Sequence, residues 1–345
     1  MKAAVLTGVR SIEIRDVPKP VIPPPDGVLL RTGVAGLCGS DLHYFLADCV
    51  GGERIDYPLI AGHECGAVVE AVGPAVRRVK PGDRVAIEPA VYCGACDQCL
   101  SGRPNTCRRI LFLGRPGELD GCLAEYFVMP ERNCLKLADH MTMAEAMLAE
   151  PLSIALHALQ LAQAGPVRSI AVLGSGPIGL SVILGAKFSG IEEIYATDKS
   201  DARASAAKRA GAVWAGNPER EDIVRAILEK QALGMDAVFE CSGDPAAANE
   251  AVEIVKPGGR IVQVGIPLEE YVSLNVRHLR RKEIVVQHVR RQNRCLEKAL
   301  DLISNRYLDV AWMSTHPFRI DDAQRAFETA AGRLDGVLKA SIVFD

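Results

Sequence analysis

The chain has 345 residues, 48% of them apolar and 24% charged, with a net charge of -3. That length calls for about two domains, and the near-neutral balance excludes an electrostatic case for nucleic acid or an anionic membrane as partner. No apolar run approaches the ~20 residues needed to cross a bilayer, and MKAAVLTGVRSIEIRD at the start alternates like a strand, without a signal-peptide core. The expectation is a cytoplasmic protein, in which eleven cysteines, an odd number, do not form a disulfide framework.

The first ~150 residues read as β-rich, with strand-like runs GVLLRTGVAG, GAVVEAVG and DRVAIEPAV separated by Gly, Pro and Asp turns. The proline-rich VPKPVIPPPDG is a loop or edge segment. GLCGSDLHY sets Cys38, Ser40, Asp41 and His43 together after a strand, and AGHECG adds His63 and Glu64. Residues 93–107, CGACDQCLSGRPNTC, carry Cys93, Cys96, Cys99 and Cys107 as C-x2-C-x2-C-x7-C on a loop with Gly94, Gly102 and Pro104. Such a loop folds four thiolates around one tetrahedral zinc and leaves no open position, the pattern of a structural site. It matches neither the split CxxC pairs of nucleic-acid zinc ribbons nor a lone redox CxxC. The other cysteines read as small buried apolar residues, Cys38 excepted.

AEAMLAEPLSIALHALQLA, which contains Glu150, has helical apolar spacing and opens a strand–helix alternation. SIAVLG, EEIYATD, MDAVFECSG and RIVQVGIP are compact apolar runs suited to a parallel sheet covered on both faces. Helical SDARASAAKRAGA and GDPAAANEAVEIVKPGG lie between them, each ending in Gly. The fold class is therefore α/β, with a doubly wound parallel sheet after a β-rich part. SIAVLG leads into Gly174-Ser175-Gly176-Pro177-Ile178-Gly179 and a helix, and Asp198 ends the next strand, the context of a dinucleotide site. A carboxylate at Asp198 accepts from ribose hydroxyls and repels a 2′-phosphate, which favours NAD, although Lys199 and Arg203 stand close enough in sequence to hold one. Two further helices, RCLEKALDLISN and DDAQRAFETAA, precede a last strand, VLKASIVFD.

One thiolate, one imidazole and one carboxylate make a three-ligand zinc site with an open position, but isolated Cys, His and Glu residues are common, and spacing alone leaves this site open. The order G-x-C-G-S-D-x-H, G-H-E, four-cysteine loop, E-P-L and GxGxxG resembles zinc-dependent medium-chain dehydrogenases over essentially the whole chain. AIEP and EPLSIALHA are most similar to the polyol branch, the sorbitol, xylitol and iditol dehydrogenases. Threonine dehydrogenase is similar in the cysteine loop but differs at EPLS.

The resemblance implies a GroES-like catalytic domain from residues 1–153 and 288–345, a Rossmann domain at 154–287, and an active site in the cleft between them. It implies one structural and one catalytic zinc per chain. Cys38, His63 and Glu64 would ligate the catalytic zinc, with Glu150 approaching the metal or its water and able to exchange with Glu64. A zinc there would act as Lewis acid on a substrate hydroxyl while hydride passes to the nicotinamide and a ketone forms. Ser40 and His43 would pass the proton outward, and Asp41 would hold the His63 ring in its ligating tautomer. His157 reads as a packed helix residue. Gly174, Gly176, Ile178, Gly179, Asp198, Arg203, Gly265 and Ile266 would line the cofactor, and relatives associate as homo-oligomers, dimers or tetramers.

Tyr44, Arg115, Arg290 and Arg291 are the candidate substrate contacts. Where polyol dehydrogenases show aromatic–Arg–aromatic, this chain has VRRQN at 289–293, and Arg115 is an added charge. Paired arginines suit carboxylate and phosphate, so the expectation is a polar or anionic substrate such as a cyclic polyol, sugar acid or sugar phosphate. The alternatives are a threonine-type amino-alcohol dehydrogenase and a non-catalytic NAD- and zinc-binding protein.

Overall fold

The computed structural model describes residues 1–21, 25–50, 52–162 and 167–344. Residues 22–24 of the proline-rich segment, and Asp345 at the end of the last expected strand, lie outside the described residues. Two compact units result, Met1–Glu150 with Leu296–Asp345, and Pro151–Cys295. The first division falls inside the helix Met143–Ala162, at Pro151, whose ring nitrogen has no proton to give the preceding turn. The sequence expectation put the divisions at 153/154 and 287/288, so Arg290 and Arg291 travel with the second unit.

The first unit is organised around the strand Gly27–Gly36. It pairs antiparallel with Glu64–Val72, with Lys339–Val343 and with Tyr126–Pro130, so the end of the chain supplies a strand beside the beginning. Alternation sends Val28, Leu30, Ala67, Val69, Phe127 and Ile342 into one core. Phe45, on the short helix Gly39–Leu46, meets Phe327 of Ala323–Gly332 at a ring separation of 5.3 Å. Burial of each such ring contributes about 1.5–3 kcal/mol.

The second unit holds six parallel strands in the order Trp214–Gly216, Glu193–Thr197, Ser169–Leu173, Met235–Glu240, Val255–Gln263, Val285–His288. In sequence rank this is 3-2-1-4-5-6, whose direction of winding reverses between Ser169–Leu173 and Met235–Glu240. SIAVL is buried at every position, as a strand covered on both faces requires. One helix is shorter than its sequence suggested. Pro245–Ile254 stops before KPGG, and the strand Val255–Gln263 starts at once, so those glycines are not its cap. RHLRRK, not assigned from sequence, falls in the helix Val276–Lys282.

Candidate functional site

The four cysteines of residues 93–107 converge. Their sulfurs stand 3.4 Å (Cys93–Cys107), 3.6 Å (Cys96–Cys99), 3.8 Å (Cys96–Cys107) and 4.0 Å (Cys93–Cys99) apart. Four Zn–S bonds of about 2.3 Å in a tetrahedron put sulfurs about 3.8 Å apart, whereas a disulfide needs about 2.05 Å. The set therefore fits one metal ion and no cross-link, and none of the eleven cysteines, all among the described residues, is in a disulfide. The Cys93 thiol is drawn down to about 5, first by the Ala95 backbone N–H. Cys99 is pushed up to about 12 by desolvation and by hydrogen bonds with Cys107 and Cys96. Four clustered sulfurs cannot all ionise without a cation, and a divalent metal supplies it.

The second cluster is built by separated strands. Cys38 ends the strand–helix turn as N-cap of Gly39–Leu46, and His63 and Glu64 stand at the start of Glu64–Val72. One ligand atom from each of Cys38, His63 and Glu64 lies within 4.8 Å of the others. Asp41 ties the pieces together from a fully buried position. Its carboxylate accepts from the Cys38 N–H at 2.9 Å and the Gly62 N–H at 3.2 Å, and its Oδ1 lies 3.6 Å from His63 Nδ1. Burial alone would depress the imidazole pKa; Asp41 and Cys38 outweigh it and leave it well above its usual value.

Sequence reasoning missed Lys339. This side chain is 2% exposed and forms an ion pair with Glu64 Oε2. Burial lowers its pKa, but Glu64, Cys38 and Glu150 more than restore it. Lys339 and Glu64 sit on the two strands flanking Gly27–Gly36, with Gly36 opposite Glu64 on one side and Ser341 on the other. A Cβ at Gly36 would stand 2.7 Å from Glu64 Oε2 and 2.9 Å from Lys339 Cε. Absence of a side chain at this one residue is what gives the pair its room. Glu150 is also buried and is pushed up to about 8 by desolvation, with Glu64 adding to the rise and His63 opposing it. It is not among the three ligand atoms that converge.

Ser40 and His43 are three residues apart on one helix, hence on one face, and both are half-buried. His43 Nδ1 is buried and has no hydrogen-bond partner among the described residues, and desolvation lowers the ring's pKa. Tyr44 is half-buried within the fields of Asp41, His63, Arg115 and Cys38; its hydroxyl pKa is raised, first by burial. Arg115 is ion-paired: its guanidinium donates to Glu118 at 2.5 Å and Glu53 at 2.8 Å. Arg290 is exposed in the second unit, and Arg291 follows with φ +54°. His157 is buried in the helix Met143–Ala162, outside the converging set.

In the second unit the glycine turn sits at the carboxyl end of Ser169–Leu173, beside the winding reversal. Gly174 adopts φ +95°, and a Cβ on Gly179 would lie 1.9 Å from the Gly174 carbonyl, so neither tolerates a side chain. Gly176 caps the helix Pro177–Phe188, whose first N–H groups, at Ile178 and Gly179, have no intrahelical acceptor. An open cradle of amide donors at a helix amino terminus fits a pyrophosphate. Asp198 accepts from the Ser175 N–H at 2.9 Å and the Ser200 N–H at 2.8 Å, which fixes both carboxylate oxygens. The Arg203 Nη1 stands 3.5 Å from where a Gly176 Cβ would be, over the phosphate turn. Gly265 presses on Gly243, where a Cβ would meet the Gly243 nitrogen at 2.2 Å, and Ile266 is exposed beside it.

Known proteins share this organisation. Residues 24–139 match the alcohol dehydrogenase GroES-like domain, and 177–305 match the zinc-binding dehydrogenase domain. Sorbitol dehydrogenase of Bacillus subtilis strain 168 is 34% identical over 343 residues, 99% of this chain and 97% of that protein. A zinc-binding dehydrogenase of Sinorhizobium meliloti 1021 bound to NADP superposes with a TM-score of 0.90 at 27% identity, covering 99% of both chains. An alcohol dehydrogenase of Escherichia coli CFT073 complexed with NADH gives 0.90 at 27%, covering 100% of this chain and 99% of that one.

Proposed function

The chain belongs to the zinc-dependent medium-chain dehydrogenase family, in its polyol branch, and we propose that it oxidises a secondary hydroxyl of a neutral polyol to a ketone with NAD as acceptor. The observation that carries this is the convergence of Cys38, His63 and Glu64 to within 4.8 Å in a buried site. Zinc bound there supplies a Lewis acid that lowers the pKa of a substrate hydroxyl. Asp41 holds His63 in register, and Lys339 keeps one oxygen of Glu64 oriented. Ser40 and then His43, with its unpartnered Nδ1, carry the released proton toward solvent. Tyr44 bounds the substrate side. The Arg115 ion pairs favour a neutral substrate over an acid or phosphate.

In the second unit the Gly174–Gly179 turn holds the pyrophosphate and Asp198 the adenosine ribose. The Cys93–Cys107 loop holds a structural zinc. A reducing, cytoplasmic compartment fits the eleven cysteines, an odd number that no fully paired framework accommodates. No described helix is long and apolar enough to cross a membrane. A homo-oligomer is supported by the edge strand Val285–His288, with Val285, Val276 and Tyr271 exposed, and sedimentation would report it.

The test is a panel of sorbitol, xylitol, myo-inositol and L-threonine with NAD, read at 340 nm beside metal content. The expected result is polyol oxidation and two zinc ions per chain, one for each cluster. Faster turnover of L-threonine would replace this reading by the amino-alcohol one. A single tightly held zinc and no turnover would make the chain a binding protein.

A further inference from the structure

Three cations close to Asp198 along the chain or on the next loop, Lys199, Arg203 and Arg220, each face another group. Arg220 is ion-paired with Asp201 at 2.5 Å, and Arg203 lies over the Gly176 turn. Lys199, the residue next to Asp198 and the nearest cation along the chain, reaches across to Asp244, Nζ to Oδ2 at 2.7 Å. Asp244 is the N-cap of the helix Pro245–Ile254 and accepts from the Ala246 N–H at 2.9 Å, so its carboxylate is fixed on the loop after Met235–Glu240. That loop packs on the phosphate turn, since a Cβ at Gly174 would meet the Ser242 nitrogen at 2.8 Å. Glu250 adds to the same acidic field. Its own pKa is raised by burial and by Asp244 and Asp222, with Lys199 pulling the other way.

A dinucleotide with a 2′-phosphate needs a cation at the ribose, and one without it needs only acceptors for the hydroxyls. We propose that Asp244 is a second specificity-determining residue, which engages Lys199 and so withholds a cation from the ribose 2′ position, making the site select NAD against NADP. The inference rests on the dinucleotide reading above and adds to it a residue that does not touch the motif in sequence. Asp198 repels the 2′-phosphate directly; Asp244 removes the partner that would offset that repulsion.

The experiment compares binding of adenosine 5′-monophosphate and adenosine 2′,5′-bisphosphate by calorimetry, with NAD and NADP kinetics alongside. Asp244→Asn keeps the helix cap, since Asn caps as well as Asp, and removes the charge. The expected result is a gain of about tenfold in the bisphosphate-to-monophosphate affinity ratio, the worth of one charge-assisted hydrogen bond to phosphate. In Lys199→Ala/Asp244→Asn the gain should vanish. An unchanged ratio in D244N, with the monophosphate still bound, overturns the role of Asp244 alone. A gain that survives loss of Lys199 overturns the withdrawal of that cation. Failure of the unaltered protein to bind either nucleotide overturns the dinucleotide site and the selection with it.

Discussion

The two clusters of the first unit that could hold a metal ion differ in how the chain makes them. The four-cysteine loop draws every donor from residues 93–107 and surrounds its centre with like atoms. The Cys38–His63–Glu64 cluster takes donors from two separated segments and is braced by Asp41 and Lys339. A closed set of thiolates needs only a loop that can fold back on itself. A mixed set with an open position needs a scaffold, because its carboxylate and imidazole must be held in place whether or not a metal is present.

The largest expected difference follows from exchanging one ligand in each. Cys38→Ser should remove one zinc per chain and at least about a thousandfold of kcat/KM, the scale of Lewis-acid stabilisation, while the thermal midpoint hardly moves. Cys99→Ser should also remove one zinc per chain but lower the midpoint, with activity falling only as the folded fraction falls. Metal analysis, calorimetry and steady-state rates on both variants check it. If C38S unfolds early and C99S loses turnover at full stability, the assignments of the two clusters are reversed.

Lys339 sharpens the contrast on the scaffold side. It is buried against Glu64, and removing one member of a buried pair strands the other's charge, typically at about 3–5 kcal/mol. Lys339→Met should therefore destabilise the metal-free protein by about that amount, measured by urea unfolding. Glu64→Gln/Lys339→Met should recover most of the loss, because no unpaired charge is left. Added zinc should narrow the gap between K339M and wild type, since the metal gives Glu64 a second cation to face. Equal costs with and without zinc would separate Lys339 from the metal site.

How much of this was legible in the chain follows the same divide. The cysteine loop and the Gly174–Gly179 turn are local: ligands or glycines sit a few residues apart, and their spacing carries the chemistry. The doubly wound parallel sheet of the second unit was readable for the same reason, as buried runs in alternation with helices, whereas its strand order came only with the structure. Cys38, His63 and Glu64 were named through resemblance of their motifs to a family, since spacing alone left the site open. Lys339 carried no signal, because a lysine in VLKASIVFD reads as a solvent-facing strand residue until pairing through Gly27–Gly36 brings its side chain to Glu64. Gly36 was likewise unmarked; only the neighbouring strands show that a methyl group there has nowhere to go. Arg115 was read as an added charge; Glu118 stands three residues on, but Glu53 lies 62 residues away on the short strand Glu53–Arg54, and no local pattern announces its approach.

A smaller effect tests the bracing by Asp41. Asp41→Asn keeps the volume and one acceptor but loses the charge beside His63, and changes of this kind cost about 10–100-fold in metal affinity. Competition with a chelator should show that loss at the Cys38 cluster and none at the cysteine loop, whose donors Asp41 does not touch. Equal loss at both would mean that D41N loosens the whole unit, in which case the bracing is general packing.

The smallest expected effect lies at Arg115, and its smallness is the argument. A guanidinium shared by Glu118 and Glu53 and about one-third exposed is neutralised where it stands. Arg115→Gln should change stability by less than about 1 kcal/mol and leave the ratio of kcat/KM for sorbitol to that for a sugar acid unchanged. Had the arginine been free, the same substitution would cost an anionic substrate a charge-assisted hydrogen bond, about tenfold or more. A selective loss of the sugar acid in R115Q would show the ion pairs opening when substrate enters. The neutral-polyol reading would then give way to the anionic one that the sequence first suggested.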